Sequence, residues 1–131
     1  MILDRVFGIH EQAVQLRARR SEVLASNLAN ADTPGYKARD FDFKAMLRQQ
    51  AQPAVRLVAT HHAHISSDQG TVPAVNMQYR NPHQPSLDGN TVEVEREQAE
   101  YSANAISYQA SLRFLEGKIK GLKTALKGSS Q

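Results

Sequence analysis

The sequence predicts a mainly α-helical protein. Two long helices, one near each terminus, form a coiled-coil-like layer, and an irregular middle segment holds a short helix and short extended or β pieces. Three observations carry this expectation. Apolar residues recur in alternating steps of three and four at both ends of the chain, which is the spacing of a helix–helix seam. Residues 37–90 keep no such period and collect turn-forming residues instead. Hydrophobic residues make up 40% of the 131 residues but aromatics only 6%, so any core is thin and extended helices suit it better than a large globule.

The first part, residues 1–36, is a helix ending in a turn. Ile2, Val6, Ile9, Ala13, Leu16, Arg20, Val23, Asn27 and Asn30 alternate the four and three steps, so the seam is apolar first and polar at its end. A second stripe, Phe7, Val14, Ser21 and Leu28, runs at seven-residue spacing beside it. Pro34 disfavours helical dihedrals at Thr33 and offers no N–H donor, which stops the helix. Thr33-Pro34-Gly35-Tyr36 reads as a type II turn, with proline and then glycine at its centre. The amides of Asn27 and Asn30 are expected to set register and to bond the last free carbonyls of the helix.

The middle part, residues 37–90, is expected to be irregular. Asp42-Phe43-Lys44-Ala45-Met46-Leu47 starts a short helix with Asp42 as its cap. Val55-Arg56-Leu57-Val58 reads as a short strand, and residues 81–90 as an extended, turn-rich stretch. An irregular stretch of this length is unusual in a compact domain, so it is expected to be ordered against something else.

The last part, residues 91–131, is the stronger helix. Val94, Gln98, Tyr101, Ala105, Tyr108, Leu112, Leu115, Ile119, Leu122 and Leu126 keep the four–three step without a break. Asn90 with Glu93 resembles a capping box. Glu93, Glu95, Glu97 and Glu100 crowd the start of the helix and Lys118, Lys120, Lys123 and Lys127 its end, both in the sense the helix dipole favours. Gly117 and Gly121 each cost about 1 kcal/mol relative to alanine inside a helix. A close-packed neighbouring helix gives such small residues a use. Ile106 and Phe114 add apolar surface off the seam.

Chemistry of other kinds finds little support. There is no cysteine, which excludes disulfides and thiol catalysis. His61, His62 and His64 lack the i,i+4 pair or the cysteine partners that specify a metal site, and read as a solvated loop. No G-x-S-x-G elbow or phosphate-binding glycine loop is present. A net charge of +3 is too small to indicate nucleic acid. Arg17, Arg19 and Arg20, with Arg5, are offset by Glu11 and Glu22 and lack aromatic partners nearby. No run approaches the ~18–20 apolar residues of a membrane span. The start of the chain has no basic flank followed by an apolar block, so any route out of the cytoplasm is expected to use no cleaved signal. No catalytic residue, cofactor or metal is therefore expected.

Two seams of this size leave a lone hairpin marginal, and the second stripes find no use inside it. The surface expected to pack between subunits comprises Val6, Phe7, Ile9, Val14, Leu16 and Leu28 on the first helix. On the last it comprises Tyr101, Tyr108, Leu112, Phe114, Leu115, Gly117, Ile119, Gly121 and Leu122. The expected function class is thus a self- and hetero-associating structural protein.

A resemblance sharpens this reading. Asn27-Leu28-Ala29-Asn30 followed two residues later by Thr33-Pro34-Gly35-Tyr36 is similar to the N-terminal signature of the axial proteins of the bacterial flagellum, those of the rod and hook. The run Ala38 to Phe43, then Gln78-Tyr79-Arg80, Pro85 to Val92 and Asn104 to Gln109 resemble the proximal rod branch of the basal-body rod family. Residues 48–75 match only loosely. The resemblance implies terminal helices that pair and stack with those of neighbours into a hollow drive shaft. It implies as partners the same protein, other rod proteins, the ring-to-rod adaptor, the membrane-ring protein and the flagellar type III export apparatus. Asn27, Asn30 and residues 33–36 become the assembly motif, a corner from which the middle segment leaves the helical layer and staples an adjacent subunit. The alternative is a coiled-coil adaptor of a related type III secretion apparatus. Circular dichroism of the dilute monomer is expected to show incomplete helicity and no cooperative melt; full helicity with a sharp melt contradicts the inference of a marginal chain.

Overall fold

A computed structural model describes residues 2–51 and 75–128, with side chains from residue 8 onward. Helix α1 spans Ile2–Ala29, strand β1 Arg39–Asp40, helix α2 Phe43–Ala51, strand β2 Gln78–Tyr79 and helix α3 Val94–Lys127. The fold class is as expected: mainly helical, with long helices near both ends and a small two-stranded sheet in an irregular middle. The expected strand over Val55–Val58 and the histidines His61, His62 and His64 lie outside the described residues. So do the side chains of Val6 and Phe7.

The helices α1 and α3 run antiparallel. Asn27 meets Glu97, Arg20 meets Glu100, and Asn104 reaches back to Arg17 and Ser21. Farther along, the rings of His10 and Phe114 stack at 6.4 Å. This interface is polar, and there the structure departs from the expected pairing of two apolar seams. Glu97 and Asn104, both 1% exposed, occupy the line of α3 that faces α1. Val94 and Tyr101, on the predicted seam, are 38% and 40% exposed. At about 100° per residue the seam lies roughly 70° around α3 from the line that meets α1.

The apolar core sits on the other side of α1. Leu16 and Val23, seven residues apart on the predicted seam, pack with Phe41 and Met46, and Phe43, Leu47 and Val75 close over them. The middle segment thus supplies the partner that α3 was expected to supply. It also explains why residues 37–51 and 75–80 are ordered: they lie against α1 of their own chain. The expectation that the middle staples an adjacent subunit is corrected accordingly for these residues. Leu24, fully buried, lay on neither predicted stripe.

Local signals set the ends of the elements. Tyr36 N–H donates to Thr33 C=O at 3.2 Å and Gly35 has φ +72°, which makes residues 33–36 the type II turn expected. Asp42 caps α2, its Oδ1 accepting Ala45 N–H at 3.0 Å. The capping box expected at α3 is absent. Glu93 is itself the N-cap and makes no side-chain cap bond. Its carboxylate accepts the N–H groups of His83 and Gln84 instead, while Asn90 is drawn to the end of α1. Strands β1 and β2 pair antiparallel, Arg39 opposite Tyr79 and Asp40 opposite Gln78.

Phe41→Ala is expected to cost about 3–5 kcal/mol by opening a cavity against Leu16 and Val23. Amide exchange across residues 38–47 then accelerates before that of α1. Unchanged protection of this stretch contradicts the placement of the core.

Candidate assembly interface

The site begins at the end of α1, where unpaired carbonyls and a change of direction coincide. Asn30 Nδ2 donates to Ser26 C=O at 2.8 Å, closing one free carbonyl as expected. Thr33 Oγ1 donates to Asn30 Oδ1 at 3.2 Å, which ties the turn to the helix end. Three further carbonyls are closed from a distance: the single Nδ2 of Asn90 lies 3.0, 2.8 and 2.8 Å from the oxygens of Asn30, Ala31 and Thr33. Asn90 is 5% exposed, so its amide is a plug set into the corner.

Asn27 does something other than capping. Its Nδ2 donates to Arg39 C=O at 2.7 Å and its Oδ1 accepts Arg39 N–H at 3.1 Å. The side chain therefore pairs with one residue of β1 as a neighbouring strand would. The same Nδ2 donates to Glu97 at 3.1 Å, and Tyr36 OH reaches Asn27 Oδ1 at 3.4 Å. Two bonds from Thr91 complete the return path. Thr91 N–H donates to Tyr36 C=O at 3.0 Å, and Ala38 N–H donates to Thr91 Oγ1 at 2.8 Å. Pro34 and Gly35 are exposed at the tip.

Beside Asn27 lies a charge network. Arg20 holds Asp40 bidentately, Nε to Oδ1 at 3.1 Å and Nη2 to Oδ2 at 2.8 Å, and also donates to Glu100 at 2.9 Å. Arg80 donates to Asp40 and to the buried Glu97. Side-chain exposures of 19% for Arg20, 16% for Asp40 and 11% for Arg80 keep most water out. Burial pushes the Asp40 carboxyl up, but bonds from Arg20, the Phe41 N–H and Arg80 together outweigh it and hold it below the usual carboxylate range. The bond to Asp40 raises Arg20 against the opposing effect of burial. These charges join α1, β1, the segment after β2 and α3 at one place.

The remaining residues expected at subunit contacts are distributed around the helices. Leu16 is internal core, so its expected exterior role is corrected. Val14 and Leu28 are half-buried, and Ile9 is 39% exposed. On α3, Tyr108, Leu112, Leu115 and Leu122 are half-buried, whereas Tyr101, Phe114 and Ile119 are exposed. A Cβ added at Gly117 or Gly121 meets nothing within 4 Å, so packing within the described chain gives neither glycine a reason. Asn90, Glu97, Asn104, Arg80 and Asp40 had no part in the expected motif. One available signal was the seven-residue recurrence Asn90, Glu97, Asn104, Ser111, a polar heptad line parallel to the apolar one.

The corner contains no arrangement suited to catalysis: its carboxylates are consumed by arginines and its amides by backbone. Among the described residues no group of histidine, cysteine or carboxylate side chains can hold a metal ion. No described helix is long and apolar enough to cross a membrane.

Comparison with known proteins identifies what such a corner belongs to. The family described as flagella basal body rod protein matches residues 7–37, which span α1 and its terminal turn. Across the whole chain, the flagellar basal body rod protein FlgB of Escherichia coli strain K12 is 45% identical, covering 98% of this chain and 97% of that protein. The chain belongs to the FlgB family of flagellar basal body rod proteins. The FlgB of Aeromonas hydrophila is 49% identical over 95% of each chain, and that of Salmonella typhimurium 43% identical over 98% of this chain and 97% of its own. As a FlgB-family member the chain is a structural component of the basal body rod, located in the flagellar basal body and assembling with other basal-body components. The secretion-adaptor alternative is not favoured by these relatives.

Asp40 gives the corner a signed pH dependence. Its folded pKa is depressed, so its stabilising contribution is complete above the unfolded value of about 4 and is lost as pH falls through the folded value. The Asn27 side-chain amide resonances are expected to lose their hydrogen-bonded shifts over that acid range. Asp40→Asn is expected to bring the same change at pH 7; resonances indifferent to both contradict the role given to this carboxylate.

Proposed function

We propose that the chain builds the proximal part of the rod and acts mechanically, as an interlocking piece of a hollow drive shaft that transmits torque from the membrane ring toward the hook. The observation that carries this is the division of α3 into two lines. Its polar line is used against α1, while its apolar heptad line, with Val94, Tyr101, Ile119 and Leu126 exposed, is left for other helices. A shaft built from many such contacts shares load, because no single weak interface has to bear it.

In this reading the terminal parts, residues 1–36 and 91–131, form the stacking layer and residues 37–90 brace it. Val6, Phe7, Ile9, Val14 and Leu28 of α1, and the exposed and half-buried seam of α3 with Gly117 and Gly121, meet neighbouring subunits. Those neighbours are copies of the same chain, other rod proteins, the ring-to-rod adaptor and the membrane-ring protein. The chain reaches the periplasm through the flagellar type III export apparatus with no cleaved signal, a route that demands an unfolded chain and suits a small core. It performs no catalysis and uses no cofactor.

Asn27, Asn30 and residues 33–36 serve assembly by fixing the angle at which α1 passes into its brace. Gly35 has φ +72°, where an alanine side chain is strained. Replacing Pro34 and Gly35 together by alanine is expected to abolish rod assembly while export of the chain stays measurable. Motility assays and electron microscopy of isolated basal bodies read the outcome; normal motility in that variant overturns the role given to the turn.

A further inference from the structure

The C-terminal third of α3 carries a surface that the fold does not use. Ile119 and Leu126 are 49% and 79% exposed, with Leu115 and Leu122 half-buried along the same line. At about 100° per residue these four fall within a stripe roughly 60° wide. Lys118, Lys120, Lys123 and Lys127 are exposed and flank it, with Glu116 as the one carboxylate of the stretch.

The width of the stripe and its charge define what fits it. A helix that lies on a lipid surface presents a broad apolar face, whereas a narrow three–four seam flanked by charge is the geometry of helix–helix pairing. Nucleic acid has no use for an ordered apolar line. The flanking lysines call for a partner helix bearing carboxylates beside its own seam. The acidic start of α3 in a second copy is a poor source of them. Glu97 is buried and bonded to Arg80 and Asn27, Glu100 is bonded to Arg20, and Glu93 is bonded to Arg96 and to the N–H groups of His83 and Gln84. Only Glu95 of that group faces water without such engagement among the described residues.

We infer that Leu115 to Leu126 is the docking strip for an acidic amphipathic helix of a different subunit, and that the lysines choose this heterotypic partner over a second copy of the chain. The inference rests on the rod reading for where the partner is met, and on charge and geometry for what the partner is.

The test places a benzophenone photo-crosslinker at position 126 of the full-length chain in motile cells and sequences the cross-linked peptide. The expected adduct is a helical segment of another protein, with aspartate or glutamate beside an apolar heptad line. Its yield is expected to fall about tenfold with Lys120→Glu, Lys123→Glu and Lys127→Glu combined, and less with the three corresponding glutamine substitutions. Circular dichroism of the variants checks that the helix persists, and the milder glutamine series carries the charge test if the glutamates unwind it. An adduct with a second copy, with lipid or with nucleic acid, or no adduct in isolated basal bodies that contain the chain, overturns the inference. A chain absent from basal bodies that still gives the acidic-helix adduct rejects the rod reading and keeps this one.

Discussion

The Asn27 carboxamide is the constraint on which the rest of the structure depends. A helix residue bonds both backbone groups of Arg39, and so fixes the register of the returning chain to within one residue. That register brings Asp40 to Arg20 and lays Phe41 onto Leu16 and Val23. A third bond carries the lock to Glu97 on α3. Asn27 is fully buried, and a buried polar group left unsatisfied costs about 1–3 kcal/mol. Sliding β1 by one residue therefore loses the amide pairing, the bidentate Arg20–Asp40 contact and the core together.

The surfaces divide between specificity and adhesion. Inside the chain, helix α1 is held to α3 by asparagine, arginine and glutamate, groups that tolerate one geometry because each unmet bond is costly. Arg17 stacks over the Phe43 ring at 4.2 Å and joins the polar line of α1 to the apolar cluster beside it. Outside the chain, α3 keeps a continuous apolar line, which is adhesive and tolerant of the partner's details. For a rod subunit this arrangement has a clear logic: the angle of the corner is defined by the subunit itself, and the stickiness is reserved for the lattice.

Much of this was legible from residue spacing. The two long helices, the type II turn at Pro34-Gly35 and the Asp42 cap each depend on local rules, and each is found. The partner of each face was not legible. Leu16 and Val23 are correctly apolar in period, but periodicity names no partner, and Phe41 and Met46 lie in a stretch with no long-range signal of its own. Asn90 and Glu93 fit a local capping pattern and were taken by tertiary bonds, Asn90 by the carbonyls of α1 and Glu93 by the loop at His83. Glu97 and Asn104 ran against hydropathy: a glutamate inside a helix pair reads as surface until Arg80, remote in sequence, is seen to neutralise it.

The polar character of the α1–α3 contact also shapes its thermodynamics. Hydration of apolar groups raises the heat capacity on exposure and hydration of polar groups lowers it. Prising α3 from α1 uncovers mostly amides, carboxylates and guanidinium groups, so the two effects nearly cancel. The opened hairpin then resembles the closed one in calorimetry, with a stability that bends little between cold and warm. A bacterium that swims across a range of temperatures thus draws on a joint whose grip barely depends on the weather.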